Sequence, residues 1–332
     1  MVSPTRHAAA TCHRRSFLRG TTAAVSGALL ADVFAAAGES ASGPAADKVA
    51  TNFQIACMTL PYQKFPLARA LTGLKSAGYE YVAWGTRHVE AGGERVPVMA
   101  HDAAPAAAQE LGKRCRDLGL EPLMMFSMIY PEHPDAVAIF TNRIKQAAAA
   151  GMPQVLTFGH TEGGNAKVWI ERFKKLGPIA ADHGVMIVIK QHGGSTGTGE
   201  ACAKIVRVVD HPSVMVNYDA GNVMDYLNVD PIPDIQACAA QVRSFCIKDH
   251  RNWPKDQDCG PGFGEIDHYR LLHPVAATGL TMPLCCENIF APLVPRPDRP
   301  EGVDALARRA REFLEVVCAG LKQSVTEAPA TK

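Results

Sequence analysis

The chain has 332 residues, with 34 Lys and Arg against 33 Asp and Glu. A near-neutral chain without a basic run gives no support to nucleic-acid binding by counterion release. It is long enough for one large packed domain or two small ones. Its ten cysteines follow neither metal-ribbon nor disulfide-scaffold spacing.

Residues 13–19 read HRRSFLR and lead into the uncharged, Ala-rich run Gly20–Ala31. The paired Arg14 and Arg15, then Phe17-Leu18, then the small residues Ala35-Ala36-Ala37 give residues 1–37 the pattern of a twin-arginine export signal. Asp32 interrupts the apolar run well short of the roughly 20 residues that a membrane span needs. The expectation is an exported, periplasmic or otherwise extracytoplasmic protein with no stable membrane span. Residues 38–52 are small and polar and read as a linker. Without residues 1–37 the chain loses Arg6, Arg14, Arg15, Arg19 and Asp32, so 30 basic residues face 32 acidic ones.

From residue 53 onward, apolar strand-like runs alternate with amphipathic helical stretches. The runs are 53–57, 79–84, 121–127, 154–158, 185–190, 214–219, 242–249 and 282–287. Helix-like stretches fall between them at 67–77, 103–118, 135–150, 166–183 and 200–209, and a last one spans 302–321. Gly78, Gly151, Gly184 and Gly279 follow helix ends, where glycine takes the left-handed conformation freely. Eight β-α units predict a (β/α)8 TIM barrel over residues 53–322, with a disordered tail at 323–332. A doubly wound open sheet is the alternative, but no GxGxxG follows the first strand. Cys57, Cys246, Cys285 and Cys286 lie in apolar runs and read as small hydrophobes, with one or two disulfides left open by export.

The fifth run, GVMIVIKQHGG over residues 184–194, is the most informative. A strand buried on both faces ends in Lys190, Gln191 and His192 and then turns on two glycines. In a barrel the strand C-termini carry function, and ionisable groups collect there from the fifth strand to the eighth. They are Lys190 and His192, then Asp219, then Lys248, Asp249, His250 and Arg251, and finally Glu287. Such a set suits proton transfer or a divalent cation. Plainer readings stand beside it. Lys248-Asp249 can be a supporting salt bridge, His250 and Arg251 a solvated loop, and Trp84, Phe126 and Tyr130 core aromatics instead of a ligand-stacking platform. Glu265 and Asp267 read as helix caps.

Five pieces carry a family resemblance. They are His192-Gly193-Gly194, Tyr218-Asp219-Ala220-Gly221-Asn222, Lys248-Asp249, the Gly262–Asp267 turn and Glu287. In this order and spacing they resemble the xylose isomerase-like TIM barrels, a group of sugar phosphate isomerases/epimerases, ketose 3-epimerases and inosose dehydratases. The resemblance implies one divalent metal, Mn, Mg, Co or Zn, held by Glu, Asp, His and Glu from the fifth to the eighth strands. It also implies that the two glutamates move a proton beside a carbonyl.

Asp219 and Glu287 match those positions. Lys190 and Cys246 replace the other two ligands, and a protonated lysine cannot ligate a metal. Three outcomes stay open. A metal is kept through His192, Asp219 and Glu287, with His250 as a fourth candidate; or the Lys190 ammonium takes the metal's place; or the site only binds sugar. The leading expectation is a sugar isomerase or epimerase acting on an unphosphorylated sugar or keto-sugar. Glu287 is its base, Lys190, His192 and Lys248 are further catalytic candidates, and Asp249, His250, Arg251 and Trp84 are substrate contacts. A keto-glycoside lyase or dehydratase and a non-catalytic carbohydrate-binding barrel are the alternatives, and a homo-oligomer is left open.

Overall fold

A computed structural model describes residues 49–326. The export-signal reading of residues 1–37 and most of the linker lie outside them.

Eight parallel strands close into a barrel: β1 (Asn52–Met58), β2 (Tyr81–Trp84), β3 (Glu121–Phe126), β4 (Gln154–Phe158), β5 (Met186–Lys190), β6 (Val214–Tyr218), β7 (Val242–Ile247) and β8 (Thr281–Cys286). They neighbour one another in chain order, and β8 pairs with β1 to shut the ring. The TIM barrel read from the sequence is therefore present, with all eight runs in their places. The covering helices are α1 (Leu67–Ser76), α2 (Pro105–Asp117), α3 (Ala136–Ala150), α4 (Ala166–Asp182), α5 (Gly199–Val209), α6 (Ala220–Leu227), α7 (Pro231–Gln236), α8 (His268–Leu272) and α9 (Pro300–Thr326). The four glycines expected at helix ends all have left-handed backbone.

Alternation along each strand sorts the core into two layers. Met58, Ala83, Met124, Leu156, Val188 and Cys285 fill the barrel interior. Val82, Trp84, Val155, Ile187, Ile189 and Val216 point outward into a larger cluster with Leu71, Phe140, Phe173 and Leu314 from the helices. Continuous apolar runs such as Met186–Ile189 arise because both faces are buried.

Several boundaries differ from the sequence reading. Asn52 already belongs to β1, and α9 continues through Thr326, past the expected start of the tail. Two short antiparallel hairpins were not expected: Arg87–Val89 with Arg95–Pro97, and Asp249–Arg251 with Gln257–Cys259. The second one takes Asp249 out of β7, which stops at Ile247. The nine described cysteines are all free thiols, eight of them buried.

Candidate active site

The C-terminal ends of β5, β6 and β8 bring three ionised side chains to one point. Lys190 is the last residue of β5, in register with Phe158 on β4 and Asn217 on β6. Its ammonium lies 2.8 and 2.9 Å from the two oxygens of Glu287, which directly follows β8. It also lies 3.1 Å from Oδ2 of Asp219, which directly follows β6. Lys190 and Asp219 are buried, while the Glu287 side chain keeps 14% exposure.

Local structure aims each group. Asp219 caps α6, its Oδ1 accepting from the Asn222 N–H at 3.0 Å, which turns Oδ2 toward Lys190. Oδ2 has no directed hydrogen bond of its own. Gln191 ties β5 to β6: its side-chain oxygen accepts from the Asp219 N–H at 2.7 Å, and its carbonyl accepts from Asn222 Nδ2 at 2.6 Å. Asn217 accepts from the Cys246 N–H at 3.0 Å and donates to Ser244, bracing β6 on β7.

A second ammonium completes the cluster. Lys248 Nζ lies 3.0 Å from Asp258, 3.7 Å from Glu287 and 3.8 Å from Asp219, and it donates to Asn222 Oδ1. Its stem passes directly over Gly221, where an added Cβ would sit 2.6 Å from Lys248 Cγ, so only glycine fits. Asp258 in turn accepts from His250 Nδ1 at 3.0 Å, and His250 Nε2 faces Asp256 at 3.2 Å. Basic and acidic side chains thus alternate from the barrel interior out to the exposed Asp256.

The electrostatics follow from this packing. Burial opposes the Lys190 charge, but Glu287 and Asp219 outweigh it and hold the ammonium well above the usual lysine range. Burial likewise opposes ionised Glu287, yet Lys190 and Lys248 keep it far below the usual carboxylate range. Asp219 goes the other way, raised by burial that the two lysines only partly offset. Burial opposes a charge on His250, but its hydrogen bond with Asp258 and the surrounding aspartates raise its pKa.

His192 stands at the rim. Gly193 follows it with a left-handed φ of +76°, and a Cβ there would collide with the Thr161 carbonyl. The imidazole donates from Nδ1 to the Gly159 carbonyl at 2.8 Å, and the Tyr226 hydroxyl faces Nε2 at 3.4 Å. Burial, with the Lys190 charge adding to it, brings the His192 pKa down to about 4, so the ring is neutral at pH 7. Phe158 lies between the two groups, 4.6 Å from the His192 ring and 5.6 Å beneath Lys190 Nζ.

Two groups of metal-ligand type occur among the described residues: Asp219 with Cys246 and Glu287, and Asp225 with His250 and Asp256. The first coincides with the metal position that the resemblance implies, but it does not fit an ion. The Lys190 ammonium already bridges both carboxylates, and burial keeps the Cys246 thiol protonated. A divalent cation there would face a positive charge within contact distance. His192 lies outside both groups, with its Nδ1 on the Gly159 carbonyl and its Nε2 facing the Tyr226 hydroxyl.

Other expected contacts move as well. Trp84 is buried on the outer face of β2, among the residues packed under the helices, because Ala83 takes the inward position. It is not a substrate platform. Asp249 is fully buried, and its oxygens accept from the N–H groups of His250, Gly262, Gly264 and Ile266 at 2.8 to 3.0 Å. Four backbone donors make it a clamp on the 260–266 loop and leave it no oxygen for a substrate. Arg251 donates to the Trp253 carbonyl at 2.9 Å on its hairpin. Asp267 caps α8 as expected, while Glu265 accepts from the Asn252 and Trp253 N–H groups. Gln191, Asn222, Asp258 and Phe158 are the site residues that sequence reasoning gave no role.

Comparison with known proteins places this geometry. Residues 71–314 match the model of the xylose isomerase-like TIM barrel family. No curated protein matches the chain by sequence. Among solved structures, an L-ribulose 3-epimerase superposes with a TM-score of 0.62 at 18% identity, covering 84% of this chain and 99% of its own. A probable 3-DHS dehydratase from Bacillus anthracis gives 0.55 at 12% identity, covering 79% and 98%. A xylose isomerase-like TIM barrel/4-hydroxyphenylpyruvate dioxygenase fusion protein gives 0.62 at 18% identity over 83% of this chain, which spans 45% of that longer one.

Proposed function

The chain belongs to the xylose isomerase-like TIM barrel family, and we propose that it catalyses proton transfer beside the carbonyl of an unphosphorylated keto-sugar, with the Lys190 ammonium in place of a metal ion. The observation that carries this reading is the position of Lys190 Nζ, within 3.1 Å of both Asp219 and Glu287. A fixed cation in a water-poor site stabilises an enolate oxygen more strongly than water does.

Glu287 is the base, because it is the one carboxylate of the pair with an exposed face. In the free protein Lys190 holds it ionised and weakly basic. A substrate carbonyl that accepts a hydrogen bond from Lys190 draws the ammonium off Glu287 and raises its basicity. The α-carbon C–H bond then breaks, the proton passes to Glu287, and the electron pair forms the C=C bond as the carbonyl becomes an enolate oxygen paired with Lys190. Returning the proton to the former carbonyl carbon, while the hydroxyl proton of the adjacent carbon passes to the enolate oxygen, gives isomerisation. Delivery of a proton to the opposite face of the first carbon by a second donor, such as water, gives epimerisation, and expelling a group β to the carbonyl gives a lyase. The names of the solved neighbours, an epimerase and a dehydratase, span two of these fates of one intermediate. Export by the paired arginines at 14 and 15 favours free sugars over sugar phosphates as substrates.

A second reading has its own support. Lys190, Asp219 and Glu287 form a closed, largely buried ion-pair cluster, as a barrel that binds sugar without turnover would have. One experiment separates the two. The protein is incubated with a panel of keto-sugars in D2O, and NMR follows deuterium entering the position next to the carbonyl. Enzyme-dependent exchange that Glu287→Gln abolishes supports the proton-transfer reading. Binding without exchange for every sugar supports the binding barrel.

A further inference from the structure

Beside the lysine–carboxylate cluster the barrel mouth holds a cavity of about 360 Å³. Its walls come from the ends of β3 and β4, from the loop after β3 and from the first hairpin. Phe126, Met128, Ile129, Tyr130 and Phe158 supply apolar surface, and Arg87 and Arg95 stand at the rim. Phe158 links the cavity to the cluster, since its ring also packs against His192 and lies beneath Lys190.

The aromatic rings are ordered into a frame. Phe126 and Tyr130 each meet Phe158 edge-on at 5.9 Å, and Tyr130 lies over the His160 ring at 3.9 Å. The loop that carries Met128 to Tyr130 is held from beneath by the buried Arg143, which donates to the Ser127 and Met99 carbonyls at 3.1 and 2.9 Å. Met128 itself takes a left-handed φ of +67°, a conformation that costs a non-glycine residue energy and is kept only when the surroundings impose it. The cavity is therefore preformed, apolar and aromatic, as small-molecule sites are.

We propose that this cavity is a subsite for a planar apolar substituent, such as an aryl aglycone, on a glycoside whose sugar ring reaches Lys190 and Glu287. This rests on the reading of Lys190 and Glu287 as the reacting centre. A free sugar offers one small apolar face to five apolar side chains, whereas an aromatic ring is apolar throughout and gains from edge-on and offset contacts with Phe158 and Tyr130. The guanidinium planes of Arg87 and Arg95 can cover the outer face of such a ring, since arginine stacks on aromatics as well as pairing with anions.

The test uses non-reacting glycosides as probes. Matched methyl and phenyl glycosides of several sugars, in both anomers, are titrated into the full chain by calorimetry. At least one phenyl glycoside is expected to bind about tenfold or more tightly than its methyl partner, which corresponds to roughly 1.4 kcal/mol. Tyr130→Ala, a truncation at a side chain 37% exposed, is expected to bring that ratio close to one, as is Ile129→Asp. Equal binding of every pair, no binding of any phenyl glycoside, or a phenyl preference that survives both substitutions overturns the subsite. The deuterium-exchange assay on keto-sugars is read separately. Exchange without a phenyl preference removes only the subsite, and a phenyl preference without exchange removes only the proton-transfer reading.

Discussion

Lys190 Nζ and the Glu287 carboxylate meet at 2.8 and 2.9 Å, joining β5 to β8 through the barrel interior. Asp219 closes the cluster from β6 at 3.1 Å, so one ammonium serves two carboxylates. Each charge is tolerable in that buried place only because the others are there.

Removing the cation alone is accordingly costly. Lys190→Met leaves two adjacent buried carboxylates with only the more distant Lys248, 3.7 and 3.8 Å away, to offset them, and we expect a loss of about 3 kcal/mol of unfolding free energy near neutral pH. The loss shrinks as the pH falls, because protonating the carboxylates removes the uncompensated charge. Urea titrations at pH 7.5 and pH 5 check this. An equal loss at both pH values would mean that packing, not charge, is what Lys190 provides.

The metal argument has its own prediction. Lys190→Glu replaces the ammonium with a third carboxylate beside Asp219, Cys246 and Glu287, whose ligand-type atoms lie within 4.8 Å of one another. Cobalt(II) added to this variant is expected to give sulfur-to-cobalt charge-transfer absorption from a deprotonated Cys246. The unsubstituted chain is expected to give none, because Lys190 fills the place of the ion. Strong thiolate absorption in the unsubstituted chain would show that Lys190 moves aside for a metal.

How far the sequence revealed these features depended on the length of the pattern that carried them. Parallel strands buried on both faces, such as Met186–Ile189, leave continuous apolar runs, and their ends mark the mouth without any knowledge of contacts. Lys190, Asp219 and Glu287 were legible for that reason. Trp84 was misplaced because β2 is four residues long, too short to tell from alternation which of Ala83 and Trp84 faces inward. Asp258 and Asp256 lie on a hairpin with strands of three residues, which leave no periodic trace. The part played by Asp249 depends on amides 13 to 17 positions away, a pairing that only the folded loop discloses.

Trp84 gives a stability prediction that separates core from site. Its side chain is 1% exposed and packs among the residues under the helices. Trp84→Ala is expected to cost about 3–5 kcal/mol through the cavity it leaves. Affinity for any glycoside that binds the barrel mouth, measured where the variant is still folded, is expected to stay within about twofold. A large change in affinity at intact stability would return Trp84 to the site.

Asp249 is expected to act on one loop. Asp249→Asn keeps the shape but replaces one acceptor oxygen with a donor, so backbone amides that pointed at a carboxylate lose a partner. A loss of about 1–3 kcal/mol is expected. Hydrogen exchange should speed up first at Gly262, Gly264 and Ile266, whose N–H groups the carboxylate accepts. If protection falls evenly over the barrel instead, the clamp is not local.

His192 sets a pH limit whose direction follows from its surroundings. Burial, with the Lys190 charge adding to it, brings its pKa down to about 4, against about 6.5 for a histidine in the unfolded chain. The folded state therefore binds the proton later than the unfolded one. This group's contribution to stability is complete above about pH 6.5 and is lost as the pH falls toward 4. The neutral ring must carry its hydrogen on Nδ1, since the Gly159 carbonyl can only accept, and that leaves Nε2 as an acceptor toward Tyr226. Imidazole nitrogen shifts should accordingly report one fixed neutral tautomer from pH 8 down to about pH 5. His192→Gln should flatten the stability profile between pH 6.5 and 4 relative to the unsubstituted chain. A ring that titrates near 6.5 would mean that His192 is open to water and not held in the buried place that the fold gives it.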